Sequence, residues 1–157
     1  MGRRPRGSRS ACERGTSAVE FALVVPILLV LVFGIIQYGW YFYAMQAGTS
    51  ATSDAVRRLS VGDCQSSTEL NALLVSKLGS ARRSGTTVQA TVVHTAPTTS
   101  HATMPSPGTV GGGVELRVQF QTADFNFPFI PVPGDGTVTR TVFARVEDTN
   151  ASAGGCT

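Results

Sequence analysis

Positive charge is scarce in this 157-residue chain once its first fifteen residues are passed. Arg3, Arg4, Arg6, Arg9 and Arg14 stand against Glu13 for +4 in that leader, while the remainder carries eight basic against nine acidic residues, −1. A basic face for nucleic acid is therefore absent from the body of the chain, and no nucleic-acid partner is expected. Histidine is scarcer still. His94 and His101 are the only two, with no Cys, Asp or Glu near them at metal-ligand spacing, so neither a metal nor any other cofactor is expected. "GTVGGG" lacks the lysine and the following helix of a phosphate loop, and no serine nucleophile elbow occurs. The carboxylates are scattered over turns and strands, which argues against an enzyme. There is no internal repeat.

The largest absence is of charge between Glu20 and Asp54. Phe21 to Ile36 is wholly apolar, and Gln37, Tyr38, Gly39, Trp40, Tyr41, Phe42 and Tyr43 extend the run. At 1.5 Å per residue a helix over this stretch crosses a hydrocarbon core of about 30 Å, with membrane lipid as its solvent. The tyrosines and Trp40 suit the far interface, and the arginine cluster ahead of the run places the N-terminus in the cytoplasm. A secretory signal peptide is the competitor, but small residues at a cleavage site are missing from "QYGWYFYAMQ". Pro26 is compatible with a helix in a membrane bundle, where neighbours accommodate the freed carbonyl.

Cysteine is also sparse, with Cys12 before the run and Cys64 and Cys156 after it. In an oxidising compartment Cys64 and Cys156 can bridge and staple the tail to the start of the external domain; the alternative is two unpaired thiols.

Beyond the apolar run, "AMQAGTSATSDAVRRLS" has neither proline nor strand alternation. Ala44, Ala47, Gly48, Ala51 and Ala55, with Leu59, recur at helical steps and form a narrow flat stripe. Such a stripe admits either another helix, in small-xxx-small packing, or the chain's own domain. Gly62 is a plausible cap. "STELNALLVSKLGS" aligns Leu70, Leu73, Leu74 and Leu78 on a second short helix, with Ser66 and Glu69 as a possible capping box. "TTVQATVVHT", the alternating "GVELRVQFQT" and "GTVTRTVFARVE" make about three antiparallel strands. The fold class expected is α+β: a long N-terminal transmembrane helix extending outside the membrane, then a small external domain. The divisions are a basic leader at 1–15, a transmembrane helix at 16–43, a helical extension at 44–62 and an extracytoplasmic domain at 63–157 with a flexible loop at 96–113. "FNFPFIPVPGDG" cannot be a central strand; its Phe125, Phe127, Phe129 and Ile130 can pack or be presented, and the shortage of aromatics in a small domain favours core cover.

Glu20 remains. Close to the start of a helix it can snorkel to the cytoplasmic interface at little cost. Held at bilayer depth, a carboxylate costs about 2.5 to 3.5 kcal/mol unless a cation answers it. Cleavage after Gly15 supplies one, the new α-amine of Thr16, from the same subunit or a neighbour.

"G-TSAVEFALVVPILLVLVFGIIQYG", followed by the small-residue helix and "AVRRLSVGD", resembles the TadE-like family, the TadE and TadF minor pseudopilins of tight-adherence (Flp) pili. "VTRTVFARVE" also resembles the family's closing strand, whereas "YGWYFYAMQ" and the Pro/Gly loop depart from it. The resemblance implies a cleavage site at Gly15 and Thr16 for a prepilin peptidase, with Glu20 required for recognition or assembly. It implies a single-pass protein of the bacterial cytoplasmic membrane that helps build or prime the pilus, with other pilins, pseudopilins and the assembly machinery as partners. Two other readings stay open: a secreted binding module released by signal peptidase, and an uncleaved single-span protein whose external domain binds a ligand.

Overall fold

The computed structural model describes residues 10–63, 66–97, 103–104 and 110–148. One helix dominates it. Helix α1 runs 51 residues, Ser10–Ser60, without interruption at Pro26, a rod of about 75 Å. It begins earlier than the Thr16 start expected for the helix and ends where expected. Gly62, at φ 78°, takes the left-handed conformation that a β-carbon disfavours. Its N–H donates to Leu59 O and that of Asp63 to Arg58 O, which closes the last turn. The Ser60 carbonyl at that end also accepts from the N–H groups of Glu147 and Asp148, tying that later stretch of chain to the helix terminus.

Helix α2, Ser67–Leu78, starts at the Ser66 N-cap, whose side chain accepts from Thr68 N–H. The capping-box bond to the Glu69 N–H is thus replaced by one a residue nearer the cap. Leu70, Leu74 and Leu78 are buried and Leu73 packs at the edge of the core, as their helical spacing dictates.

Strands β1 (Gln89–Thr95), β2 (Thr103–Met104), β3 (Gly113–Gln121) and β4 (Thr137–Arg145) form one antiparallel sheet of order β2-β1-β3-β4. Three of these are the strands legible in the sequence. The fourth, β2, lies inside the stretch read as loop and pairs with β1 through His94 and Thr95. Two residues have no alternation to detect, so hydrogen bonding to β1 alone makes this strand.

In β3, Val114, Leu116, Val118 and Phe120 are all buried, while Arg117, Gln119 and Gln121 are exposed. The register sets Leu116 between Val92 of β1 and Val142 of β4, and Phe120 opposite Val138. Over the apolar face lies a helical layer, with α1 across β4 and β3 and α2 across β1 and against α1. Ala44, Ala51, Ala55, Val56 and Leu59 of α1 belong to the same buried cluster as the leucines of α2 and the centre of β3. The C-terminal half of the long helix is therefore a structural layer of the α+β domain as well as a continuation of the apolar run.

Candidate membrane anchor and processing segment

Gly15, Thr16 and Glu20 stand on the free-standing half of α1, all three exposed. Around Gly15 no atom comes within 4 Å of where a β-carbon would be. Thr16 and Glu20 are four residues apart, one helical turn, so the α-amino position of Thr16 and the Glu20 carboxylate share one side of the rod. A helix that starts at Thr16 would also carry Glu20 near its N-terminal end, where the backbone dipole favours negative charge.

From Phe21 to Val32 the apolar side chains are almost all bare. Phe21, Leu23, Ile27, Leu31 and Ile35 are each at least 60 % exposed. The helix that contains this run is long and apolar enough to cross a membrane, and none of its most apolar window is buried by the rest of the chain. The core helix of a water-soluble domain has the opposite property. A single long apolar N-terminal helix left bare in this way is the mark of a membrane-anchored protein.

The bare surface gives way at Phe33 and ends at Gln37, which in the sequence is only one more residue of the extended apolar run. Its side chain is fully buried. Gln37 Nε2 donates to the Ala123 carbonyl at 3.4 Å, and its Oε1 accepts from the Phe125 N–H at 3.1 Å. One amide thus satisfies two backbone groups of the β3–β4 connection. The signal available in the sequence was the side chain itself, a lone amide inside an apolar run, where an unpartnered polar group is costly.

Phe127 stacks on Phe33 with ring centroids 4.7 Å apart, and Phe125 meets Trp40 edge-on at 5.7 Å. The expectation that these phenylalanines cover the core is corrected here. Phe125 and Phe127 lie along the anchor helix, with Phe125 42 % exposed, and Phe129 is 94 % exposed. Prolines at 128, 131 and 133 keep the segment from joining the sheet, so it has no route to the core face. The aromatic belt is divided as well. Tyr38 and Tyr43 are exposed, while Trp40 and Tyr41 are half-buried against the domain.

For the small-residue stripe the structure selects one of the two partners. Ala44, Gly48, Ala51 and Ala55 are buried against the chain's own sheet and second helix, and Ala47 is half-buried beside them. A β-carbon on Gly48 would stand 2.8 Å from Phe120 Cε1. Arg140 reaches from β4 to donate from Nε to the Met45 carbonyl at 3.3 Å, pinning the same stretch of helix. Cys64 and Cys156 lie outside the described residues, as does His101.

His94 is buried on β1, and neither ring nitrogen has a protein partner among the described residues. Burial pushes its pKa below the ordinary histidine value. Between α1 and β4 runs an open groove of about 800 Å³, with Thr49, Ser53, Asp54, Arg57 and Phe143 on its walls.

No curated protein and no solved structure is matched by the chain. A family model does match: over residues 15–57, from the glycine ahead of the anchor to the last turn of α1, the chain matches TadE-like protein, the same family that its N-terminal motif resembles.

Proposed function

We propose that this protein is a minor pseudopilin-like subunit for assembly of tight-adherence (Flp, type IV) pili, held in the bacterial cytoplasmic membrane with its N-terminus inside. The observation that carries the reading is the coincidence of the family match, residues 15–57, with the helix that bears Gly15, Thr16, Glu20 and the bare apolar run. A prepilin peptidase cuts after Gly15 and leaves Thr16 as the mature N-terminus. The new ammonium and the Glu20 carboxylate then neutralise each other, within one subunit or between neighbours. A charge costing about 2.5 to 3.5 kcal/mol alone in lipid becomes favourable on assembly. Other pilins and pseudopilins and the assembly machinery are the partners, and the domain is carried on the outer face.

The test is the intact mass and N-terminal sequence of the protein purified from cells that carry the pilus peptidase. The expected mature chain begins at Thr16, and the same mass reports whether Cys64 and Cys156 are bridged. Glu20→Ala is expected to stay membrane-bound while pilus formation is lost. Recovery of Met1 or Gly2 at the N-terminus, or normal pili from the Glu20→Ala strain, would overturn the reading.

A further inference from the structure

The connection between β3 and β4 descends along the anchor and climbs back. Ala123 and Phe125 sit at the level of Gln37, Phe127 at the level of Phe33 more than one helical turn nearer the N-terminus, and Gly134 beside the Tyr41 hydroxyl. Asp124 and Asp135 bracket the excursion, and the ten residues between them, "FNFPFIPVPG", carry no charge.

If the hydrocarbon begins at Thr16, a span of about 30 Å puts Phe33 about 5 Å beneath the far boundary; beginning at Phe21 it puts Phe33 about 12 Å beneath but also sinks Asp124, level with Gln37, by about 6 Å, so the charge on Asp124 favours the first count. On either count the tip of the connection lies below the surface through which α1 leaves the bilayer.

Irregular backbone is normally barred from lipid by its unsatisfied N–H groups. Residues 125–133 have six to satisfy, and three of them are met within the chain. Pro128, Pro131 and Pro133 carry none, and the N–H groups of Phe125, Asn126 and Ile130 donate to Gln37 Oε1, Asp124 Oδ1 and Phe127 O. The turn that ends the descent places Phe129 at φ 67°, a left-handed conformation that costs an aromatic residue energy, and leaves its side chain 94 % exposed. In water such a residue loses both ways, by strain and by apolar exposure. In lipid the exposure becomes favourable.

We propose that residues 125–133 form a wedge seated in the outer leaflet of the same membrane that α1 crosses, with Phe129 at its tip and Gln37 setting its depth. The wedge rests on the membrane-anchored reading of α1. Its occupant is lipid, because the tip lies alongside a lipid-facing helix and the bracketing aspartates fix where water resumes. Two points of attachment, the spanning helix and the wedge beside it, set the tilt of the external domain on the membrane.

Trp40 is the sole tryptophan, so depth can be read directly. The full chain is reconstituted in phosphatidylcholine–phosphatidylglycerol vesicles that contain lipid with a shallow doxyl nitroxide. Emission is compared between the unaltered chain and a Trp40→Phe, Phe129→Trp double variant. Because Phe129 is almost wholly exposed, its replacement leaves the packing intact, which circular dichroism verifies. The expected result is blue-shifted emission from the variant that loses most of its intensity to the lipid nitroxide and little to aqueous iodide. Quenching of Trp40 by the nitroxide with the variant quenched only by iodide would overturn the wedge and leave the anchor standing. Absence of lipid quenching at Trp40 as well would overturn both. Variant quenching that disappears as protein is concentrated in the vesicles would assign the surface to a second copy of the chain and overturn lipid as its occupant.

Discussion

His94 shows how a single side chain can tie this domain to pH. In the unfolded chain the imidazole titrates near 6.5; in the folded one, burial in β1 holds its pKa lower because the charged ring loses water and gains no partner. Between those two values the unfolded chain binds the extra proton. Stability is therefore full above about pH 6.5 and falls as pH drops through that window. Thermal unfolding in detergent at about pH 7.5 and about pH 5.5 is expected to show the lower midpoint at the acid end, with the difference reduced in His94→Gln. Asp54 acts in the opposite range. Lys77, 3.0 Å away, holds its carboxyl below the usual value, so its contribution fades only as pH falls beneath the ordinary carboxylate range. That pair joins α1 to α2 but is about half exposed on both sides, and water and salt leave it little weight.

Among the elements, α1 does two jobs with two surfaces. Its first half presents Leu, Ile, Val and Phe outward, and its second half presents Ala and Gly inward. Small side chains are what allow the sheet to approach the helix, and Gly48 lies directly under the ring of Phe120. Gly48→Ala adds helix propensity of up to about 1 kcal/mol. It also forces a β-carbon against a ring that the core holds in place, an overpacking worth about 1 to 3 kcal/mol. The clash is expected to win. Gly34→Ala on the same helix meets no atom within 4 Å and serves as the control. Thermal melts of the two variants should separate, with only Gly48→Ala falling below the unaltered protein.

At the scale of the whole molecule, anchor and domain cannot be divided at the end of α1. Ala44, Ala51, Ala55, Val56 and Leu59 lie in the same core as Leu74, Leu116 and Phe120, and Ser60 O anchors the chain beyond β4. A sheet and one short helix deprived of that layer would expose their buried faces to water. A chain beginning at Ser66 is expected to show no cooperative unfolding transition by circular dichroism. One beginning at Gln37 keeps both the stripe and the amide clamp and is expected to show one. A cooperative melt from the shorter chain would contradict the shared core.

Patterns that repeat are legible in the sequence. The uncharged run from Phe21, the leucines of α2 at helical spacing and the alternation in β3 each bury or bare a face through local geometry, and the family resemblance rests on the same N-terminal stretch. Thr16 and Glu20 are expected on the helix of that run, whereas Gly15, expected just ahead of it, lies inside α1. What the tertiary structure alone decided were choices among partners that local geometry leaves equal. The alanine and glycine stripe could meet a foreign helix or the chain's own sheet, and packing put Phe120 over Gly48. The phenylalanines of 125–129 could cover a core or lie along the anchor, and the prolines together with Gln37 put them beside the helix. Two residues became strand β2 only through pairing with β1. The physical reason is common to all three: periodicity fixes which side of an element is apolar, whereas the surface that covers it depends on contacts between residues far apart in the chain.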